Sequence, residues 1–329
     1  MIIPVHNDAR TLGPCLEALA AQTGVPGELE VIVVDDASTD CTGEVAHAHG
    51  VRIVTLPVQQ GPASARNAGA RHARGDVLLF LDADCEAASD WCREMLRPLA
   101  TTDIAGVYGT YRSWQTSRVA RLAQAEFEER YARLARRESI DFFATHSAAI
   151  RRDVLAQVGG FRTDLRGNED VELAFRLSQA GLRLAFAPRA VVYHEHASTL
   201  QDYLLTKISR GYWRAVTYAA HPSKAVADDY TPPLLKLQVA GLIAAVVLLG
   251  LSLLNAGFRP MLALTVLALL LTTLPFTFFV RRTHPDLVLL VPLFSLARSA
   301  ALGAGVMGGL VAIVLGRHLR RGFLTRLHG

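Results

Sequence analysis

Short apolar runs alternate with stretches of helical periodicity through the first 85 residues. "MIIPV" is followed by 12–22, "LEVIVVDD" by 41–49, "VRIVTLP" by 63–74, and "DVLLFLDAD" closes the series. Such strands, spaced by helices of about ten residues, predict parallel βαβ units with strands buried on both faces, hence an α/β fold. Each apolar run stops at polar residues: His6, Asn7 and Asp8, then Asp35 and Asp36, then Gln59 to Gly61, then Asp82 and Asp84. In an open α/β sheet a ligand sits beyond the carboxyl ends of the strands, so chemistry is expected there.

Farther along, Val119, Leu122, Ala123, Phe127, Tyr131 and Leu134 recur at helical spacing within 118–137. They predict a charged helix that lays one apolar stripe on the protein or on a membrane surface. From 237 to 254 and from 261 to 280 the pattern is apolar with no charge, long enough to cross a bilayer as helices. A third run, 287–316, is interrupted by Pro292 and Arg298, which fits one tilted span or two half-spans turning back. The expected organisation is a first domain over 1–200 and a basic juxtamembrane segment over 201–233. A transmembrane region over 234–316 follows, with spans at 237–255 and 261–280 and the third segment, then a basic tail over 317–329.

Charge sharpens this division. The 329 residues are 51% hydrophobic and carry a net +4. Residues 1–232 hold 25 basic and 29 acidic residues, whereas 233–329 hold 9 and 1, so the positive charge belongs to the membrane region. Arg281 and Arg282 follow the second run and Arg317, Arg320, Arg321 and Arg326 the third. The positive-inside rule puts both flanks in the cytosol, which a hairpin plus a re-entrant third segment satisfies. "MIIPVHND" has neither a basic n-region nor a long apolar h-region, so no signal peptide is expected. The expectation is a multi-pass protein of the inner or plasma membrane with its first domain in the cytosol. Cys15, Cys41, Cys85 and Cys92 fit neither a zinc site nor a disulfide framework and read as reduced thiols.

Asp82 and Asp84, two residues apart at a strand end, repel each other unless a cation sits between them. Such hard oxygen ligands suit Mg²⁺ or Mn²⁺ completed by substrate phosphates, and a turn or capping role is the alternative. Asp35 and Asp36 repeat the arrangement one unit earlier, where an acid either accepts from a nucleotide's base or ribose or caps the next helix. Arg66, in "GPASARNAGARHARGD", is a phosphate or base contact or an ordinary salt-bridged residue. Glu169 and Asp170 stand at a predicted helix N-terminus, as favourable dipole partners or as a carboxylate general base. His194 or His196, after "VVY", is a further candidate metal ligand.

Taken in series, "IIPVHN", "VIVVDDASTD", "GPASARNAGARHARGDVLLFLDAD", "GGFRTDLRGNEDVELAFRL" and "VVYHEH" resemble glycosyltransferase family 2, of the GT-A fold. The resemblance implies a Rossmann-like mixed sheet, followed here by an all-α transmembrane region. It also implies a nucleotide-diphosphate sugar donor, Mn²⁺ or Mg²⁺, and inverting transfer. Asp82, Ala83 and Asp84 match the family's DxD. Asp35 and Asp36 match base and ribose contacts, Pro4, His6 and Asn7 border the nucleotide, and Arg66 matches a residue near base or phosphates. Asp170, with Glu169, matches the general base, and His194 a histidine that joins the metal in some members. "LTKISRGYWRAV" lacks the Gln-x-x-Arg-Trp of processive synthases, which favours transfer of a single sugar. The expected acceptor is lipid-linked or membrane-proximal, a polyprenyl phosphate or a growing cell-envelope glycan. Alternatives are a soluble or protein acceptor with the helices as anchor, and a catalytically silent scaffold. Membrane lipids are expected partners and nucleic acid is not. A dinucleotide-binding oxidoreductase requires Gly-x-Gly-x-x-Gly after the first strand, and "IIPVHNDARTLG" has none.

Overall fold

The structure, a computed structural model, describes residues 1–316. Arg317, Arg320, Arg321 and Arg326 of the expected tail lie outside the described residues. The chain divides into two units, Met1–Trp114 with Tyr131–Glu195, and Gln115–Arg130 with the residues from His196 onward.

In the first unit the expected βα alternation appears as β1 (Ile2–Val5), α1 (Ala9–Ala20), β2 (Ile32–Asp35), α2 (Thr42–Ala48), β3 (Arg52–Thr55), α3 (Pro62–His72) and β4 (Val77–Phe80). Then come β5 (Glu86–Ala87), α4 (Trp91–Leu96), β6 (Ile104–Arg112) and α5 (Arg118–Leu134), whose first turns belong to the second unit. The first unit is completed by β7 (Ala148–Arg151), α6 (Arg152–Gln157), α7 (Glu169–Gln179) and β8 (Arg183–Tyr193). All eight strands form one sheet in the order β3-β2-β1-β4-β7-β6-β8-β5. The first four are parallel, whereas β7 is antiparallel to both β4 and β6, so the sheet is mixed. Ile2, Ile3, Ile32, Val33, Leu78 and Phe80 are buried, as expected of strands covered on both faces.

One sequence feature opens this sheet where a ligand would enter. β1 pairs with β2 over four residues but with β4 only at Ile2↔Phe80. Pro4 has no N–H to give to a ladder, so the two strands part after Ile2. The crevice between them lies at the reversal of strand order, beyond the carboxyl ends of β1 and β4.

The second unit contains the start of α5, then α8 (Leu200–Ala220), α9 (Pro222–Val226), α10 (Pro233–Leu254), α11 (Arg259–Thr272), α12 (Leu274–Thr283) and α13 (Val291–Val314). Among the described residues, three helical stretches are long and apolar enough to cross a membrane: Pro233–Leu254, Ala256–Thr283 and Pro285–Val314. In the third, α13 runs unbroken through Arg298, with Pro292 in its first turn, where the missing N–H is harmless. It is one helix rather than two halves. Gln115–Arg130, which sequence alone puts inside the first domain, packs with the C-terminal helices. Leu122, Ala123 and Ala125 bury themselves against Tyr203, Phe276, Val280, Leu287, Val291 and Phe294. The stripe expected from its periodicity is real: Leu122 and Ala123 meet helices, while Tyr131 stacks on Phe186 of β8 with ring centroids 5.5 Å apart.

Charges finish that packing. Arg121 makes a two-pronged pair with Asp286, at 2.7 and 2.8 Å. Glu126, 6% exposed, receives Lys207 Nζ at 2.6 Å, Arg298 at 3.1 Å and the Tyr203 hydroxyl. Burial acts to raise Glu126, but Lys207 and Arg298 outweigh it and hold the carboxyl down at about 2. Arg298, the charge that interrupts the third apolar run, therefore has a partner on a helix 172 positions away.

Candidate active site

The ends of β1 and β2 are tied by short polar side chains. Asn7, at φ 51°, accepts from the Thr39 N–H at 2.7 Å, and its own N–H donates to Ser38 Oγ at 2.9 Å. Asp35 accepts from the Ser38 N–H at 2.9 Å. Asp36 uses both oxygens on the next loop, accepting from the N–H groups of Gln60 and Gly61 at 2.8 and 2.7 Å. Gly61 has φ +91°, a backbone conformation that favours glycine. His6 Nδ1 lies 2.8 Å from the Asp36 carbonyl oxygen. Asp35 and Asp36 are both buried, and these carboxylates first of all shape the loops around the crevice.

Arg66 rises from the second turn of α3 with its side chain 5% exposed. One nitrogen donates to Asp82 at 2.8 Å and another to Glu169 at 2.7 Å, so the end of β4 and the start of α7 share one guanidinium. Of the two readings of Arg66, the salt-bridged one is what the structure displays, with the side chain beside the end of β4. Asp82 therefore faces an arginine, while Asp84 turns to β8, where its Oδ2 lies 2.8 Å from His194 Nε2. Burial acts to raise Asp84, but the hydrogen bond and charge of His194 outweigh it and the carboxyl is lowered.

Asp84, Cys85 and His194 offer ligand atoms within 4.8 Å of one another. Cys85 is buried, and burial followed by the charge of Asp84 pushes its thiol up, so it stays protonated. The usable set is then one carboxylate oxygen and one imidazole, a chemistry that fits Mn²⁺ or Mg²⁺ with other ligands from solvent or substrate. His196, the other histidine candidate, lies in the second unit and bonds Gln124 at 2.9 Å.

A cavity of about 360 Å³ brings together Pro4, His6, Asp36, Arg66, Asp82, Ala83 and Asp84, with Gln59, Gly61 and Pro62 from the loop pinned by Asp36. Asn7 and Asp35, also expected at the donor, are not part of its lining. A larger hollow of about 870 Å³ in the same unit, lined by Arg71, Asp76, Arg151 and Arg152 among others, includes none of the expected donor residues.

Glu169 and Asp170 open α7 after Asn168, whose φ of 59° turns the chain. Glu169 is taken by Arg66. Asp170 accepts from the N–H groups of Val171 at 2.8 Å and Thr145 at 3.3 Å. Burial first, and then the charge of Glu169, raise its carboxyl to about 7 against the pull of Arg66 and the two N–H donors. A carboxylate titrating near neutrality suits a general base.

Sequence reasoning passed over Thr145, Tyr111 and His146. The Tyr111 ring lies 4.6 Å from both the His194 and His146 rings. Tyr111 sits in a buried strand where an aromatic reads as core, so no local signal marked it.

Residues 1–159 match the family model described as Glycosyl transferase family 2. That match stops short of Glu169, Asp170 and His194. Over 206 residues the chain is 32% identical to Glycosyltransferase AglE of Haloferax volcanii, covering 59% of this chain and 66% of that one. Over 234 residues it is 30% identical to the Pre-mycofactocin glycosyltransferase of Mycobacterium tuberculosis, covering 68% and 48%. The chain thus spans from about half to just under two-thirds of these relatives' length. Among solved structures, mannosyltransferase PcManGT from Pyrobaculum calidifontis, in complex with GDP-Man and Mn²⁺, superposes with a TM-score of 0.62 at 23% identity. That likeness, one of fold, covers 94% of this chain and 86% of the other. By its matched domain, its relatives and its mixed sheet, the chain belongs to glycosyltransferase family 2, and its fold is GT-A.

Proposed function

We propose that the protein is a glycosyltransferase that takes one sugar from a nucleotide-diphosphate donor, with a divalent ion, and inverts the anomeric centre. The acceptor in this proposal is lipid-linked or membrane-proximal. The observation that carries it is the pairing of a donor crevice, lined by Asp82, Ala83, Asp84 and Arg66, with a carboxyl at Asp170 raised to about 7.

Pro4, His6 and the loops held by Asn7, Asp35 and Asp36 shape the nucleotide's seat. Arg66 presents a guanidinium beside Asp82, suited to the donor's phosphates. Asp84 and His194, with Asp82 beside them, would hold Mn²⁺ or Mg²⁺, which when bound offsets negative charge on the leaving diphosphate. The GDP-Man and Mn²⁺ bound by PcManGT support both the donor class and the ion. Asp170 takes the acceptor's proton as its oxygen attacks the anomeric carbon, and Glu169 holds Arg66 in place for both ends of the site. A base near neutrality favours a hydroxyl of a lipid-linked glycan, since an ionised polyprenyl phosphate needs little deprotonation. The apolar helices support a membrane location, with Arg281 and Arg282 marking the cytosolic side in a plasma membrane.

The test is incubation of the purified protein, in detergent and with membrane lipid extract, with a panel of nucleotide sugars. Release of nucleoside diphosphate with at least one donor, lost in EDTA and restored by Mn²⁺ or Mg²⁺, is expected. Metal-independent release, or labelled product that stays out of organic solvent, would overturn the ion or the acceptor respectively.

A further inference from the structure

Among the described residues three helical stretches qualify as spans by length and apolarity, but their surroundings differ. In α10 and in the α11–α12 stretch, 11% and 22% of the apolar window is buried, and for α13 the figure is 50%. The first two form a hairpin. The amide of Gln238 donates to the Thr272 carbonyl at 3.2 Å, and a Cβ on Gly241 would stand 2.8 Å from Leu269. Beyond Gln238, only Ser252 of α10 is fully buried, so most of the hairpin is left for lipid.

The partner of α13 is α8. The rings of Tyr203 and Phe294 lie 4.6 Å apart. Glu126 bridges Lys207 and Arg298. A Cβ on Gly211 would stand 2.3 Å from the Leu302 carbonyl oxygen, and one on Gly309 2.7 Å from that of Tyr212. The contacts advance together along both helices, so the two run side by side and in the same direction. From Tyr203 to Ala215 that is about 18 Å at 1.5 Å per residue. The start of α13 is covered as well by α5, which carries Arg121, Glu126 and Glu128.

A bilayer-crossing α13 would therefore take α8 with it, drawing Lys207, Arg210 and Arg214 through the hydrocarbon. Charged side chains there are strongly disfavoured, and a helix with a polar face and an apolar face lies instead in the interface. α13 has the matching outer face. Leu293, Ala300, Ala304, Met307 and Val311 fall on one exposed stripe, with no charge along it. α13 reaches α10 at its foot, where Gln238 meets Arg298 and Ser299.

We infer that α13 does not cross the membrane. It lies with α8 in the headgroup interface, the stripe from Leu293 to Val311 facing the acyl chains, and the chain crosses only as the α10–α12 hairpin. The C-terminal end of α13 then lies on the same side as Arg281 and Arg282, with no third crossing between them. Small residues at helix contacts are common within membranes too, so the charges of α8 and α5 decide the matter.

Cys41 is the exposed native cysteine, so a Cys41→Ser background with single cysteines at Ala256, Thr283 and Thr325 tests this with a membrane-impermeant maleimide. Thr283→Cys and Thr325→Cys should label from one side of the membrane and Ala256→Cys from the other, whichever way the protein is inserted. Labelling of Thr325→Cys together with Ala256→Cys would overturn the inference, as would labelling of all three from one side. Spin labels at Leu293, Ala300, Met307 and Val311 in lipid nanodiscs give an independent reading. Equal, shallow depths are expected, and a profile deepest in the middle would show a span.

Discussion

Asp170→Asn separates catalysis from stability in opposite directions. The fold raises this carboxyl from 3.8 to about 7, so the native state favours the protonated form. Its contribution to stability is then fully present below about pH 3.8 and is lost progressively as pH rises to about 7, where the half-buried group ionises beside Glu169. At about 1.4 kcal/mol per pKa unit the upper bound is about 4 kcal/mol. Asp170 retains some exposure, and solvent screening brings the expected effect to about 1–2 kcal/mol. Asparagine keeps the shape and cannot ionise, so the variant should be more stable than the parent by about that amount at pH 8 and by little at pH 4.5. Thermal unfolding in detergent at the two pH values reads this out. Transfer of labelled sugar to a hydroxyl acceptor in membranes should meanwhile fall by about 10²–10⁴-fold. If transfer stays within threefold of the parent, Asp170 is not the base. If the stability gain is the same at both pH values, or is a loss at pH 8, the carboxyl does not carry the electrostatic burden assigned to it.

Arg66→Ala leaves Asp82 and Glu169 without their common cation, and a loss of about 3–5 kcal/mol is expected in thermal unfolding. Arg66→Lys should recover little, because one ammonium cannot span two carboxylates as the guanidinium fork does. His194→Ala should weaken Mn²⁺ binding at least tenfold by titration calorimetry, while Cys85→Ala should leave it within twofold, since the buried thiol stays protonated. Glu126→Ala strands Lys207 and Arg298 together, so the second unit should lose about 3–5 kcal/mol against detergent-induced unfolding. Glu126 is held at about 2, so its contribution to the parent is present at neutral pH and falls away only as pH drops below about 4.5 toward 2.

The βα alternation, the acidic strand ends, the apolar helices and the set of motifs that point to one family were all legible in the amino-acid order. These are local matters: a run of Val and Ile, a Pro that cannot donate, or 18 uncharged residues in a row declare themselves through their neighbours. The same order placed His6, Arg66, Asp82 and Asp84 close in role, although not their pairings. It took the folded chain to show that Arg66 bridges Asp82 and Glu169, 16 and 103 positions away, leaving Asp84 for His194. Folding also turned Asp36 to the backbone of the following loop and Asn7 to the β2 turn, because such contacts depend on which loops the sheet order brings together. The same holds for α5 and α13. Periodicity shows that each has an apolar stripe, but whether that stripe meets protein or lipid depends on partners such as Phe276 and Gly211, far off in the chain. Arg298, unexplained as a lone charge in an apolar run, finds its reason in Glu126, since a buried charge is stabilised only by a partner the fold delivers to it.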